Sequence, residues 1–271
     1  MQLLSDIICA FGSRIGIGVH PAAKTAYLMR NGAFPGIPME FAVGVELDGH
    51  TYTLPLCHGG ETFSFVEQEM TPTTLTMTGI DAHRALSVQL TLTSLFRPRD
   101  VRFSTTPAVL VDVRVKRLKT RFRWKEVDDS VAEGKLFVRF DRRVFSISQA
   151  EQGIYLDYDD TYQRPDESGR RPSVYPIHAH DLISVADGIL CESGVEQPFA
   201  LSLGEYGAHI TFAWCVYDPP LLEINGELAD FKYKEFFPSI EAVGDWCRAH
   251  VREIERNAQC VDGILMAHNL T

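Results

Sequence analysis

Leu86-Ser87-Val88-Gln89-Leu90-Thr91-Leu92-Thr93 alternates apolar and polar residues with a period of two, so Leu86, Val88, Leu90 and Leu92 share one face and the hydroxyls and amide share the other. That pattern is a strand with one buried and one wet face. Val109, Val111, Val113 and Val115 repeat it against Leu110, Asp112, Arg114 and Lys116. Phe41, Val43, Val45 and Leu47 lead into Asp48-Gly49, a turn dipeptide, and residues 52–56 resume as the returning arm of a hairpin. Leu136, Val138 and Phe140, then Phe145 and Ile147, then Ile210, Phe212, Trp214 and Val216 supply further strands. With no helical pattern between them, so many short strands predict a mainly β chain folded as a large antiparallel sandwich and exclude a βαβ fold.

The rhythm changes at Phe231. Ile240, Val243, Cys247, His250 or Val251, and Ile254 recur at spacings of three and four, which predicts a helix over residues 240–257 with Ser239 as its N-cap. The expected organisation is therefore a β-sandwich over residues 1–230 and a helical linker segment over residues 231–271. A helix packed on its own sheet accounts for this pattern as well as a helix that docks a partner does.

The chain has 271 residues, 45% hydrophobic and 23% charged, enough for one large β domain. A formal net charge of −10 argues against nucleic acid or an anionic membrane as partner. The basic stretch with Arg114, Lys116, Arg117, Lys119, Arg121 and Arg123 reads as the solvent side of a strand and a charged turn. Six cysteines are scattered without metal-ligand spacing, as buried free thiols are. No stretch approaches the length of a membrane-spanning helix, and the N-terminal residues lack the basic region of a signal peptide, so the cytoplasm is the expected compartment.

Three groups of residues carry candidate chemistry. The acidic stretch over residues 157–167, with Asp157, Asp159, Asp160, Asp166 and Glu167, belongs to the longest irregular segment, residues 157–176, and reads as a surface loop. Its carboxylates suit a hard cation, but the glycine and distal glutamate of a calcium loop are missing, so a solvated acidic loop is the stronger reading. His178 and His180 stand two apart with Asp181 beside them, a spacing that suits two metal-ligating imidazoles on one face of a strand. His178, His180 and Asp181 are thus the candidate metal ligands, for a metal-dependent enzyme. Gly12, Gly16 and Gly18 have the wrong spacing for a nucleotide loop and read as strand ends. Tyr155, Tyr158, Tyr162 and Tyr175 surround the acidic stretch, and aromatic faces beside carboxylates and arginines suit sugar recognition.

Three segments, in order, resemble the N-terminal domain of glycoside hydrolase family 52, the retaining β-xylosidases. Phe41-Ala-Val-Gly-Val-Glu46 with Thr51-Tyr-Thr-Leu-Pro-Leu56 is similar to the family's early hairpin, and Thr106-Pro-Ala-Val-Leu-Val-Asp-Val113 to its central strand. Gly204-Glu-Tyr-Gly-Ala208, Phe212-Ala-Trp-Cys-Val-Tyr217 and the stretch from Phe231 to Gly244 are similar to its last strands and linker helix, and Ile264-Leu-Met-Ala-His268 to the start of its first barrel helix. The resemblance implies a β-supersandwich whose partner is a helical (α/α)6 barrel. That barrel holds the carboxylate pair of the reaction, so no catalytic residue and no cofactor transfers to this sequence. It implies a non-catalytic domain of carbohydrate metabolism. The alternatives are a stand-alone carbohydrate-binding or protein-assembly module, homo-oligomeric or docked through its helix face, and the metal-dependent enzyme above.

Overall fold

A computed structural model describes residues 6–9, 15–30, 36–118, 134–165, 172–187, 199–219, 222–224 and 227–268. The chain is mainly β, and an eight-stranded antiparallel sheet is its spine. Its strands run, edge to edge, Ser146–Ala150, Gly153–Pro165, Pro172–Asp187, Gly207–Cys215, Ala108–Arg117, Leu86–Ser94, Thr74–Asp81 and Phe65–Met70. A five-stranded sheet is ordered Phe199–Ser202, Gly134–Phe140, Phe41–Leu47, His50–Thr53, Glu61–Thr62, and a four-stranded one Asp6–Cys9, Ile15–His20, Thr25–Arg30, Ile37–Met39.

The period of two decides which core each residue joins. Val109, Val111, Val113, Ile210, Phe212 and Trp214 enter the large core shared with the two smaller sheets. Their neighbours Ala108, Leu110, Ala213 and Cys215 face the other way and meet Phe103, Tyr233, Phe237, Ile240, Val243 and Cys247. Each fully buried Val, Ile, Leu or Phe contributes about 1.5–3 kcal/mol, so both faces of the central strands hold the fold together. The hairpin after Leu47 turns as its sequence predicts, with Asp48 at φ 51° and Gly49 at φ 79°, the left-handed pair of a type I′ turn.

The helical segment forms a short 3₁₀ turn, Lys232–Glu235, and two helices, Ile240–Ala249 and Val251–His268, separated by a break at His250. Ser239 caps the first, its hydroxyl accepting from the Ala242 amide at 3.3 Å. The predicted apolar face, Ile240, Val243, Cys247 and Ile254, is buried against the eight-stranded sheet. The helix therefore packs through this face on the chain's own sheet. The second helix is pinned by polar contacts: Asp262 accepts from the Thr73 amide at 2.8 Å, and Glu253 accepts from Arg97 at 2.6 Å.

Two local expectations are corrected. Residues 157–176 are not an irregular loop over most of their length, because Gly153–Pro165 and Pro172–Asp187 pair in continuous antiparallel register from Gly153 and Ser184 to Pro165 and Pro172. Asp166, Glu167, Gly169, Arg170 and Arg171 lie outside the described residues, as do Gly12, Lys119, Arg121, Arg123 and Cys191. A short helix, Val101–Thr105, also interrupts the strands, capped by Asp100, which accepts from the Phe103 amide at 2.9 Å. At five residues it is too short to leave a periodic signal in the sequence.

Candidate functional site

The strand Pro172–Asp187 separates the three candidate ligands. His178 and His180 point outward, while Ala179 and Asp181 point into the core. On the outer face His178 Nδ1 lies 3.2 Å from Asp159 and His180 Nδ1 lies 2.5 Å from Asp157. His180 also stacks on Tyr155 at 4.3 Å, and the Tyr155 hydroxyl donates to Glu241 at 2.9 Å. Asp157 and Asp159 thus face imidazoles on the neighbouring strand, and the set His178, His180, Asp181 does not assemble. Among the described residues no group of three or more His, Cys, Asp or Glu side chains is placed to hold a metal ion.

Asp181 belongs to a buried node. It is fully buried and 3.0 Å from Arg30 Nη1, and it accepts from the Tyr158 hydroxyl at 3.0 Å and from Trp214 Nε1 at 2.8 Å. Arg30 also donates to the Tyr158 hydroxyl at 3.0 Å and pairs with buried Asp218, whose amide donates to the Tyr233 hydroxyl at 2.8 Å. One guanidinium faces two carboxylates. Burial pushes the Asp181 carboxyl above its ordinary range against the pull of Arg30. Burial works against the charge on Arg30 as well, but Asp181, Tyr158 and Asp218 outweigh it, so Arg30 stays protonated. Buried pairs of this kind fix the relative placement of elements more than they add stability. Here the node ties the four-stranded sheet to the eight-stranded one and to the 3₁₀ turn.

A second polar group is built on the helix-side face of the central strands. Thr211 Oγ1 lies 2.8 Å from His209 Nε2, whose other nitrogen lies 3.5 Å from Asp187. The order hydroxyl, imidazole, carboxylate is that of a nucleophilic triad. However, Asp112 shares the same Nε2 and Thr211 is only 1% exposed, so no substrate reaches the hydroxyl. The hydrogen bond to Asp112 raises the His209 pKa against the opposing effect of burial.

The accessible concavity lies elsewhere, on the outer face of the five-stranded sheet. Leu136, Val138 and Phe140 turn inward, so Phe137 and Arg139 fall on the outside, opposite Gly44 and Ala42. Arg139, over the buried Phe137 ring, floors a cleft of about 410 Å3 walled by Glu40, Thr51, Thr53, Cys57, Gly59, Gly60 and the turn Asp141, Arg142, Arg143. Arg139 lies over the Phe137 ring at 4.1 Å and pairs with Glu46. Asp141 organises the turn: it accepts from Arg143 Nε at 2.9 Å, from Arg143 Nη2 at 2.8 Å and from the Glu40 amide at 3.0 Å. Glu40 itself lies 3.0 Å from Arg143 Nη2. Hydrogen bonding from Arg143 holds the Asp141 carboxyl below the usual carboxylate range, in spite of its partial burial. The opposite wall is fixed by Thr53, whose hydroxyl donates to the Gly59 carbonyl at 2.9 Å, and by Cys57, whose buried thiol has its pKa pushed up. Cys57 is therefore an inert wall rather than a nucleophile.

Sequence reasoning missed this cleft. Its one local trace is Asp141-Arg142-Arg143 between two buried phenylalanines, and Glu40, Cys57 and Arg139 join it only through strand register. A scan of protein-family models finds no match to the chain, and a search of curated proteins returns none either.

Proposed function

We propose that this chain works as a non-catalytic β-sandwich domain of the glycoside-hydrolase kind, serving carbohydrate metabolism in the cytoplasm. It holds a saccharide in the cleft on its five-stranded sheet and leaves bond cleavage to a helical-barrel domain. The observation that carries this reading is the state of Asp141 in the cleft. Glycoside hydrolysis needs a carboxylic acid with a raised pKa beside a second, ionised carboxylate. Asp141 is held on the opposite, ionised side by Arg143, and Glu40 shares the same guanidinium. Asp181, whose carboxyl is raised, is fully buried and out of reach of any sugar. Paired charges along an open cleft are instead good hydrogen-bonding walls for hydroxyls. The purified chain is expected to leave an aryl β-xyloside intact. Turnover at an enzyme-like rate that Glu40→Gln abolishes would overturn the reading.

A second reading, a self-assembling module, is favoured by Ile264, Leu265 and Met266, which are 60%, 42% and 47% exposed near the end of the last helix. It predicts concentration-dependent sedimentation that Leu265→Glu removes. A monomer at every concentration contradicts it.

A further inference from the structure

We propose that the outer strand of the eight-stranded sheet, Phe65–Met70, is a docking edge that takes an extended, basic segment of a partner protein as a further antiparallel strand, with lysines or arginines opposite Glu67 and Glu69. This goes beyond the saccharide reading and does not depend on it. Among the described residues no strand pairs with the far side of Phe65–Met70, and its register with Thr74–Asp81 runs from Phe65 and Ile80 to Met70 and Leu75 without a shift. Six residues with neither proline nor bulge present about 20 Å of edge backbone. Ladder parity tells which groups are free. The Thr71 amide donates to the Thr74 carbonyl at 2.8 Å, so Glu69 with Thr76 and Glu67 with Thr78 are the hydrogen-bonded pairs further along. The amides and carbonyls of Val66, Gln68 and Met70 then point away from the sheet.

The side chains select the partner. Glu67 and Glu69 share one face of the strand, both are exposed, and among the described residues neither has a cationic partner. Phe65 and Met70, at the two ends, are each 45% exposed. Charged side chains on a sheet edge guard it against copies of itself, and these two do so: a second copy in antiparallel register about Gln68 would set Glu67 against Glu69 twice. The same carboxylates favour a basic strand, whose cations two residues apart fall opposite them while apolar residues cover Phe65 and Met70. A net charge of −10 draws such a segment in. One end of the strand offers a further apolar anchor. The Thr71 hydroxyl donates to Asp262 at 2.6 Å, which brings the last turns of the second helix to the Met70 end, where Ile264, Leu265 and Met266 are exposed. In strand addition of this kind main-chain hydrogen bonds supply affinity and alternate side chains supply choice.

Titration of the isotope-labelled full chain with the peptide acetyl-Val-Lys-Thr-Lys-Val-Leu-amide, and with its counterpart carrying glutamate for both lysines, tests the edge and its charge preference together. The lysine peptide is expected to bind about ten-fold tighter than the glutamate peptide and to slow amide exchange at Val66, Gln68 and Met70. The double variant Glu67→Lys, Glu69→Lys, shown folded by circular dichroism, is expected to reverse the preference. Equal binding of the two peptides, binding of neither, or a preference that survives the double variant overturns the proposal. Slow exchange at those three amides before any peptide is added also overturns it: retained on dilution, it shows that the chain covers its own edge, and lost on dilution, that a second copy does.

Discussion

Arg30 and Arg143 each face two carboxylates, with opposite consequences. Arg30 with Asp181 and Asp218 is sealed between the sheets, its side chain 2% exposed, while Arg143 with Asp141 and Glu40 stands at a cleft rim, 72% exposed. In the first, the charged groups have lost water and are left to one another inside the protein, so the node acts as a structural staple. In the second, water screens the pair and remains exchangeable for a ligand, so the group can serve recognition. Burial, not residue identity, assigns the role.

The comparison breaks most visibly at Arg30. Arg30→Gln leaves two carboxylates buried without their cation, and chemical denaturation is expected to register a loss of about 3–5 kcal/mol. Replacing Arg30, Asp181 and Asp218 together by Met and Leu should recover most of that loss, because the desolvation cost disappears with the charges. If the triple variant is as unstable as the single one, the node contributes net stability and the staple account fails.

The next effect is smaller and has a sign. Asp141 has a depressed pKa in the folded protein, so its contribution is present above the ordinary carboxylate pKa and is lost as pH falls through the lower, folded value. Asp181 runs the other way: its raised carboxyl keeps the proton longer in the folded state, so the node costs more as pH rises from the unfolded value towards the folded one. Asp141→Asn should therefore flatten the acid side of a stability-against-pH curve, and an unchanged slope would show that Arg143 does not hold that carboxylate. Smallest of all is Arg142→Gln at the exposed turn. It is expected to leave the melting temperature unchanged, and a clear drop would make this arginine part of the fold rather than of the cleft.

Much of the fold was legible because burial on one face imposes a period of two, and Leu86–Ser94 and Ala108–Arg117 carry it openly. The long hairpin of Gly153–Pro165 and Pro172–Asp187 was not, because its outer face carries Asp157, Asp159, His178 and His180, and polar residues on a wet face look like a loop. The same parity bears on the metal reading: two imidazoles two apart share a face, and a carboxylate one residue further on is turned to the opposite face. The cleft could not be read from the sequence, because Glu40 meets Asp141 across 101 positions and the Cys57 wall closes over a strand that follows much later.

The most direct test of the distinction between sealed and open ion pairs is amide chemical-shift mapping of the labelled protein during titration with methyl β-D-xyloside. Shifts confined to Thr51, Gly59, Gly60 and Arg142, with Arg30 and Asp181 silent, are the predicted result. Shifts centred on His178 and His180, or none anywhere, would contradict it.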